Sequence, residues 1–243
     1  EQAACAARRS DDGGIMSAKK ALAIRPAPDA KVPETAMVMA AGLGKRMRPI
    51  TATTPKPLIE VAGRALIDRG LDALERAGVE QAVVNGPYRA DQGTSHLARR
   101  KRPTVIFSEE RASLLDTGGG IAKALPILGA EPFYLMNSDS FWIEGARPNL
   151  EWLASAWRDD AMEALLLVAA TVRSVGYSGR GDFRMGPTGQ LVRRPEREVA
   201  PFAYAGAAIL HPGPFADCPP GAFSLNRLFD RAAEEGRLYG VRL

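Results

Sequence analysis

The sequence predicts an α/β fold with a mostly parallel central sheet, helices on both faces and a small antiparallel hairpin region. Three observations carry that prediction. Short apolar runs alternate with helical stretches through the first half, the pattern of βαβ units, whose right-handed crossovers build a parallel sheet. Each run ends in polar or glycine-bearing residues, so Gly42, Asn85, Glu109, Gly118 and Asp139 all follow a strand or open a helix. In the second half, Asp182 to Met185 and Gln190 to Arg193 flank Gly186-Pro187-Thr188-Gly189, the signature of a hairpin.

The elements follow in order. The first strand spans 36–41 and breaks into a turn carrying Gly42 and Gly44. Leu58 to Val61, followed by Ala62-Gly63-Arg64, reads as a short extended piece and a turn. A helix runs from about Leu66 to Ala77, with Leu66, Ile67, Leu71 and Leu74 on one face and Gly78 as its stop. A second strand, Gln81 to Val84, ends at Asn85-Gly86-Pro87, and a polar helix spans about Asp91 to Arg100. The third strand, Thr104 to Phe107, ends at Ser108-Glu109-Glu110. Leu115-Asp116-Thr117 and the triple glycine 118–120 then open a helix that reaches about Leu128. A fourth strand, Phe133 to Met136, ends at Asn137-Ser138-Asp139. Ala164 to Val172 is a buried strand, and Phe202 to Leu210 is the last clear one.

Residues 35–243 form one domain, since 243 residues suffice for a single large core. Residues 1–34 are rich in Ala, Arg, Asp, Gly and Pro, without an apolar period or a signal core. They read as a flexible extension or an appended leader, with Met16 a candidate natural start.

Composition excludes several function classes. The net charge is only +4, and the cations form no stripe interleaved with aromatic residues, so the footprint of a nucleic-acid binder is missing. The run Arg99 to Arg102 reads as a solvated helix end. Cys5 and Cys218 lie in no metal or redox spacing, which suits a reducing, cytoplasmic compartment. With His96 and His211 as its only histidines, the chain does not suggest a histidine-based metal site. No apolar stretch approaches a membrane span.

The most informative segment is 37–57. After the strand come the glycine turn, then Lys45, Arg46 and Arg48, then Lys56 between Pro55 and Pro57. Glycines let a backbone aim its N–H groups at a ligand from close range, and cations beside them suit a polyphosphate. No Gly-Lys-Ser/Thr closes the turn, which excludes the P-loop, and the spacing does not match the dinucleotide fingerprint. An ordinary strand-to-helix turn with surface cations is the alternative for a lone Gly-x-Gly. Gly118 to Gly120 at a helix start can bring N–H groups against a ring or phosphate, or can serve only as a loose helix start. Asp139 at a strand end suits a magnesium ion shared with phosphate oxygens; an exposed turn aspartate is its alternative.

From about Ala36 onward the chain resembles the sugar-phosphate nucleotidyltransferases. The resemblance rests on Ala-Ala-Gly-Leu-Gly-Lys-Arg-Met-Arg-Pro (40–49), Thr-Pro-Lys-Pro-Leu (54–58), Leu-Asp-Thr-Gly-Gly-Gly-Ile (115–121), Asn-Ser-Asp (137–139), Gly-Arg-Gly-Asp-Phe (179–183) and Tyr-Ala-Gly (204–206). Within that family it is most similar to the bacterial uridylyltransferases acting on N-acetylmuramate 1-phosphate, and mannose-1-phosphate guanylyltransferases share most of the first loop.

The resemblance implies a Rossmann-like nucleotidyltransferase fold and a magnesium-dependent reaction in cell-wall sugar metabolism. An NTP, UTP above others, and a sugar 1-phosphate would be its partners, with no nucleic acid and no membrane; the oligomeric state stays open. It implies that Ala41, Gly42, Gly44 and Lys45 grip the triphosphate and that Arg46 neutralises the departing pyrophosphate. Lys56 would hold the reacting phosphate and Asp139 the magnesium ion. Asn85, Gly118, Gly119 and Gly120 would line the base pocket, and Asn137, Asp182 and Gly206 would face the sugar. A regulatory module that binds without turnover is the alternative from another class.

Three departures from the family pattern stand out. Ser138 replaces a glycine, and Asn85-Gly86-Pro87-Tyr88 lacks a histidine. The sequence stops at Gly240-Val241-Arg242-Leu243, before the Asp-Val-Gly-Thr-like turn that would carry a second magnesium carboxylate, so the usual C-terminal end is expected to be missing.

Overall fold

The computed structural model describes residues 31–42, 44–87, 91–110 and 115–243. In chain order it contains β1 (Thr35–Met39), β2 (Glu60–Val61), β3 (Arg64–Ala65), α1 (Leu66–Arg76), β4 (Gln81–Pro87), α2 (Asp91–Leu97), β5 (Thr104–Glu110) and α3 (Asp116–Leu128). There follow β6 (Phe133–Asn137), α4 (Asn149–Ala156), β7 (Ala164–Ala170), β8 (Phe183–Met185), β9 (Leu191–Arg193), β10 (Phe202–Leu210), α5 (Asn226–Glu234) and β11 (Leu238–Arg242).

Alternating burial explains why these segments form one sheet with two covered faces. In β1, Ala36 and Val38 point into one apolar cluster and Met37 into the other. Ile67, Leu71 and Leu74 of α1 and Leu150 and Leu153 of α4 fill the first cluster. Ile121, Ala124 and Leu128 of α3 and Leu228, Phe229 and Ala232 of α5 fill the second. Both faces being dry, the central strands read as continuous apolar runs.

The sheet runs β11-β7-β10-β6-β1-β4-β5, with β8 pairing β10 and β9 pairing β8. Strands β6, β1, β4 and β5 are mutually parallel, and β10 inserts antiparallel between β6 and β7. The four parallel strands therefore end at one edge, and β7 and β11 end there as well.

The observed boundaries differ from expectation for readable reasons. Strands β4 and β5 run three residues further, to Pro87 and Glu110, because their ladder continues through Asn85↔Ser108, Gly86↔Glu109 and Pro87↔Glu110. Polarity suggested loop; backbone pairing made strand. β7 stops at Ala170, where a 3-10 turn over 171–173 takes over. The helix expected at 91–100 is shorter, ending at Leu97. α4, α5 and β11 lie where the sequence suggested no element. α5 is strongly amphipathic, burying Leu228, Phe229 and Ala232. β11 is recruited by parallel pairing with β7. The expectation for residues 1–34 falls mostly on residues 1–30, outside the described residues.

One contact locks α3 to the segment before α5. Gly118 N–H and Gly119 N–H both donate to Phe223 O, at 2.8 and 3.2 Å. A Cβ on Gly119 would lie 2.3 Å from Gly221 O, a backbone atom that cannot swing away. Gly119→Ala should therefore lose about 1–3 kcal/mol despite its better helix propensity. Gly42→Ala, which meets nothing within 4 Å, should leave stability nearly unchanged. Urea denaturation of both variants checks the contrast.

A second lock joins α1 to the end of the polar helix region. Asp72 takes a bidentate Arg64, with contacts of 2.7–2.9 Å, and Arg100 at 2.8 Å. Burial pushes the Asp72 carboxyl up, but the two guanidiniums outweigh it and hold it below the usual carboxylate range. A depressed carboxylate stabilises the fold above its unfolded-state pKa and loses that contribution as pH falls through its folded value. Asp72→Asn should thus lower the melting temperature at neutral pH, with the gap to the unsubstituted chain closing in acid.

Candidate active site

Parallel sheets bind ligands beyond the carboxyl ends of their strands, where helix N-termini and loops leave room. A cleft of about 300 Å³ opens at that edge. Its walls come from Met39 to Gly42 at and beyond the end of β1, Lys56 and Pro57, Asn85 in β4, Glu110 in β5, Asp116 and Thr117 at the start of α3, and Asn137 to Asp139 at and beyond the end of β6.

Segment 42–58 folds back on itself through 3-10 turns at 45–47, 50–52 and 56–58. Gly44 makes the return possible. Its φ is +60°, and a Cβ there would sit 2.9 Å from Thr51 Cγ2 and 3.1 Å from Lys56 Cβ. The Thr51 hydroxyl donates to Gly44 O at 2.9 Å and pins the fold-back. Lys56 thereby reaches across the cleft, where its ammonium pairs with the Asp139 carboxylate. Two residues 83 positions apart, a cation from the proline-flanked loop and an anion from the end of β6, face one another in a partly exposed site.

A second polar chain runs behind them. Ala40 N–H donates to Asn85 Oδ1 at 2.7 Å, Asn85 Nδ2 donates to Glu110 Oε1 at 2.8 Å, and Leu115 N–H donates to Glu110 Oε2 at 2.9 Å. Asn85 is 1% exposed and Glu110 6%. Thr117 Oγ1 accepts from Leu225 N–H at 2.9 Å, and Asp116 adopts a left-handed φ of 56° at the cleft.

The structure brings together Ala41, Gly42, Lys56, Asn85, Asn137 and Asp139. It places several other expected residues elsewhere. Lys45 and Arg46 sit exposed on the first 3-10 turn and do not line the cleft. Gly44 supports Lys56 from behind. Gly118 and Gly119 spend their N–H groups on Phe223 O rather than on a cavity, and Gly120 packs under Asn85 and Glu110. The glycines are there for close packing, while Asp116 and Thr117 form the wall. Asp182 lies outside the cleft and accepts Tyr204 N–H at 2.9 Å, tying β8 to the irregular stretch of β10. Gly206, with φ +85°, stands against Ser140 and Asn137 and backs the loop after β6. Asn85 lines the cleft and also uses an N–H and an oxygen lone pair as ties.

Sequence reasoning missed Glu110, choosing Glu109 from the adjacent pair. Strand parity decides between them, and a polar strand end carries no apolar alternation from which to read it.

Among the described residues no group of three or more His, Cys, Asp or Glu could cage a metal. Magnesium does not need such a cage, because it takes one or two carboxylates and completes its shell with water and substrate phosphates. Asp139, on the cleft wall, fits that donor set.

Comparison with known proteins identifies the family. The family model described as nucleotidyl transferase matches residues 35–177. The chain belongs to the nucleotidyl transferase family. The N-acetylmuramate alpha-1-phosphate uridylyltransferase of Caulobacter vibrioides is 45% identical over 215 residues, covering 87% of this chain and 89% of that protein. A mannose-1-phosphate guanylyltransferase catalytic subunit beta from Drosophila pseudoobscura is 29% identical, covering 86% of this chain and 56% of that protein. The solved inositol-1-phosphate CTP transferase of T. maritima superposes with a TM-score of 0.70 at 20% identity, over 88% of this chain and 86% of that one, a likeness of fold. No helix among the described residues is long and apolar enough to cross a membrane.

Lys56 is only partly buried, so its removal should spare the fold while stripping the cleft of its cation. Lys56→Ala is expected to cut transferase turnover by about 100- to 1000-fold, the usual cost of one preorganised charge, with a melting temperature close to that of the parent. Parallel activity and melting measurements check the separation; an equal loss of folding would count against the role.

Proposed function

We propose that this chain condenses UTP with N-acetylmuramate 1-phosphate to give the nucleotide sugar and pyrophosphate. The observation that carries the reading is the extensive identity with a uridylyltransferase of that specificity, joined to a cleft whose two facing charges, Lys56 and Asp139, suit phosphoryl chemistry. In the reaction an oxygen of the sugar 1-phosphate attacks the α-phosphorus of UTP in line, and the bond to the β-phosphate oxygen breaks to release pyrophosphate. Such a transfer needs positioning and charge neutralisation more than a covalent intermediate.

The chain's residues divide that work. The backbone at Ala41 and Gly42 borders the triphosphate, and Lys56 leaves Asp139 to bind the reacting phosphate. Lys45 and Arg46, exposed on the 3-10 turn that follows the glycines, would neutralise the departing pyrophosphate. Asp139 would hold the magnesium ion. Bound there, the ion would neutralise phosphate charge and align the two substrates. Asp116 and Thr117 border the base, and Asn137 the sugar.

A mannose-1-phosphate guanylyltransferase is the second reading, favoured by the identity with that family. A binding module without turnover has little use for the Lys56–Asp139 pairing. The test is pyrophosphate release by the purified chain with magnesium, crossing UTP, GTP and CTP with N-acetylmuramate, N-acetylglucosamine, glucose and mannose 1-phosphates. Release with UTP and N-acetylmuramate 1-phosphate above all other pairs is expected, and omission of magnesium should abolish it. Preference for GTP and mannose 1-phosphate would install the second reading, and nucleotide binding without release from any pair would install the module.

A further inference from the structure

We propose that Glu110 is a positioning residue: through Asn85 it sets the direction of a hydrogen-bond chain that holds the glycine loop and the start of α3 at their working separation around the nucleotide. The proposal rests on the function proposed above and names how the nucleotide side of that site is kept in shape.

The three bonds from Ala40 to Asn85, Asn85 to Glu110 and Leu115 to Glu110 cross from the end of β1, over β4 and β5, to the threshold of α3. Both ends of the chain are backbone N–H groups, which can only donate. The middle must therefore accept at both ends. Asn85 meets this by turning its oxygen to Ala40, which commits its NH₂ to the other side. Only a group accepting on both of its atoms can then satisfy Asn85 and Leu115 together, and a carboxylate is that group. The burial of the pair removes water as a substitute partner. Relaxation is blocked from beneath as well. A Cβ on Gly120 would meet Asn85 Nδ2 at 2.9 Å and Glu110 Oε1 at 3.0 Å, so α3 already touches the pair.

This arithmetic makes each substitution specific. In E110Q the new amide oxygen can serve Leu115 or Asn85 but not both. If it serves Leu115, two NH₂ groups face one another; if Asn85 turns over, its NH₂ faces Ala40 N–H. In N85D two carboxyls face one another across the former 2.8 Å contact. They share one proton at low pH and repel once it is lost. The double variant N85D/E110Q reverses the middle bond and satisfies everything: the carboxylate introduced at 85 accepts from Ala40 and from the new amide at 110, whose oxygen accepts from Leu115.

The experiment measures KM for UTP, kcat and melting temperature for the parent, E110Q, N85D and N85D/E110Q. E110Q should raise KM by about 10- to 100-fold, the effect of a buried donor left without an acceptor, while kcat moves by no more than about threefold. N85D should show a defect that deepens between about pH 6 and about pH 9, a profile that lost packing would not produce. The double variant should recover KM to within about fivefold of the parent and lose the added pH dependence. Singles that fail to fold beside a double that folds and binds would support the same bond direction. A double variant as impaired as the product of its singles, or unfolded, or an E110Q indistinguishable from the parent, would overturn the proposal. If the parent turns over no substrate pair, the proposed function fails by itself; UTP dissociation constants of the four proteins then replace KM, with the same pattern expected.

Discussion

The parallel pairing of β6, β1, β4 and β5 is the constraint on which the rest depends. It sends four strand ends to one edge and leaves their last polar residues with nowhere to go but each other and a ligand. Asn85, Glu110 and Asn137 come from three separate strands, and Asp139 from the turn after β6, yet all line one cleft because these strands end on the same side of the sheet. The apolar clusters on the two faces hold that arrangement. A shift of one residue in any ladder would turn these side chains to the opposite face of the sheet.

Two kinds of interaction then shape the cleft. At its mouth the Lys56–Asp139 pair is partly wet, so it contributes little stability. At its base the Ala40–Asn85–Glu110–Leu115 chain is dry, and a broken bond there would leave a buried donor with no partner. Partly exposed charges thus stand above a buried polar floor. The glycines mediate between the two. Gly44 lets the basic loop fold back far enough to deliver Lys56, and Gly118 to Gly120 let α3 approach the floor and the Phe223 segment at packing distance.

Much of this was legible in the sequence. Apolar runs predicted β1, β4, β5 and β6, because strands buried on both faces must be apolar throughout, whereas the short exposed pair β2 and β3 carries no such signal. The glycine and proline signals placed the basic loop, and the structure sets its Lys56 opposite Asp139. Local patterns failed where the partner decided. β4 and β5 ran on through polar residues because each supplied the other's hydrogen bonds. β11 became a strand through its pairing with β7. The triple glycine looked like a ligand cradle, yet its N–H groups and its missing side chains serve α3 packing.

By itself, then, the sequence determined the α/β class, the order of strands and helices in the first half, and the type of chemistry, since hydrophobic periodicity and turn residues are local properties. Tertiary structure alone decided that Glu110 rather than Glu109 enters the site, that Asp182 braces β10 instead of bordering the cleft, and that Asn85 acts as a tie. Those outcomes depend on strand parity, register and the direction of hydrogen bonds between distant segments. Such quantities come into being only when the strands pair.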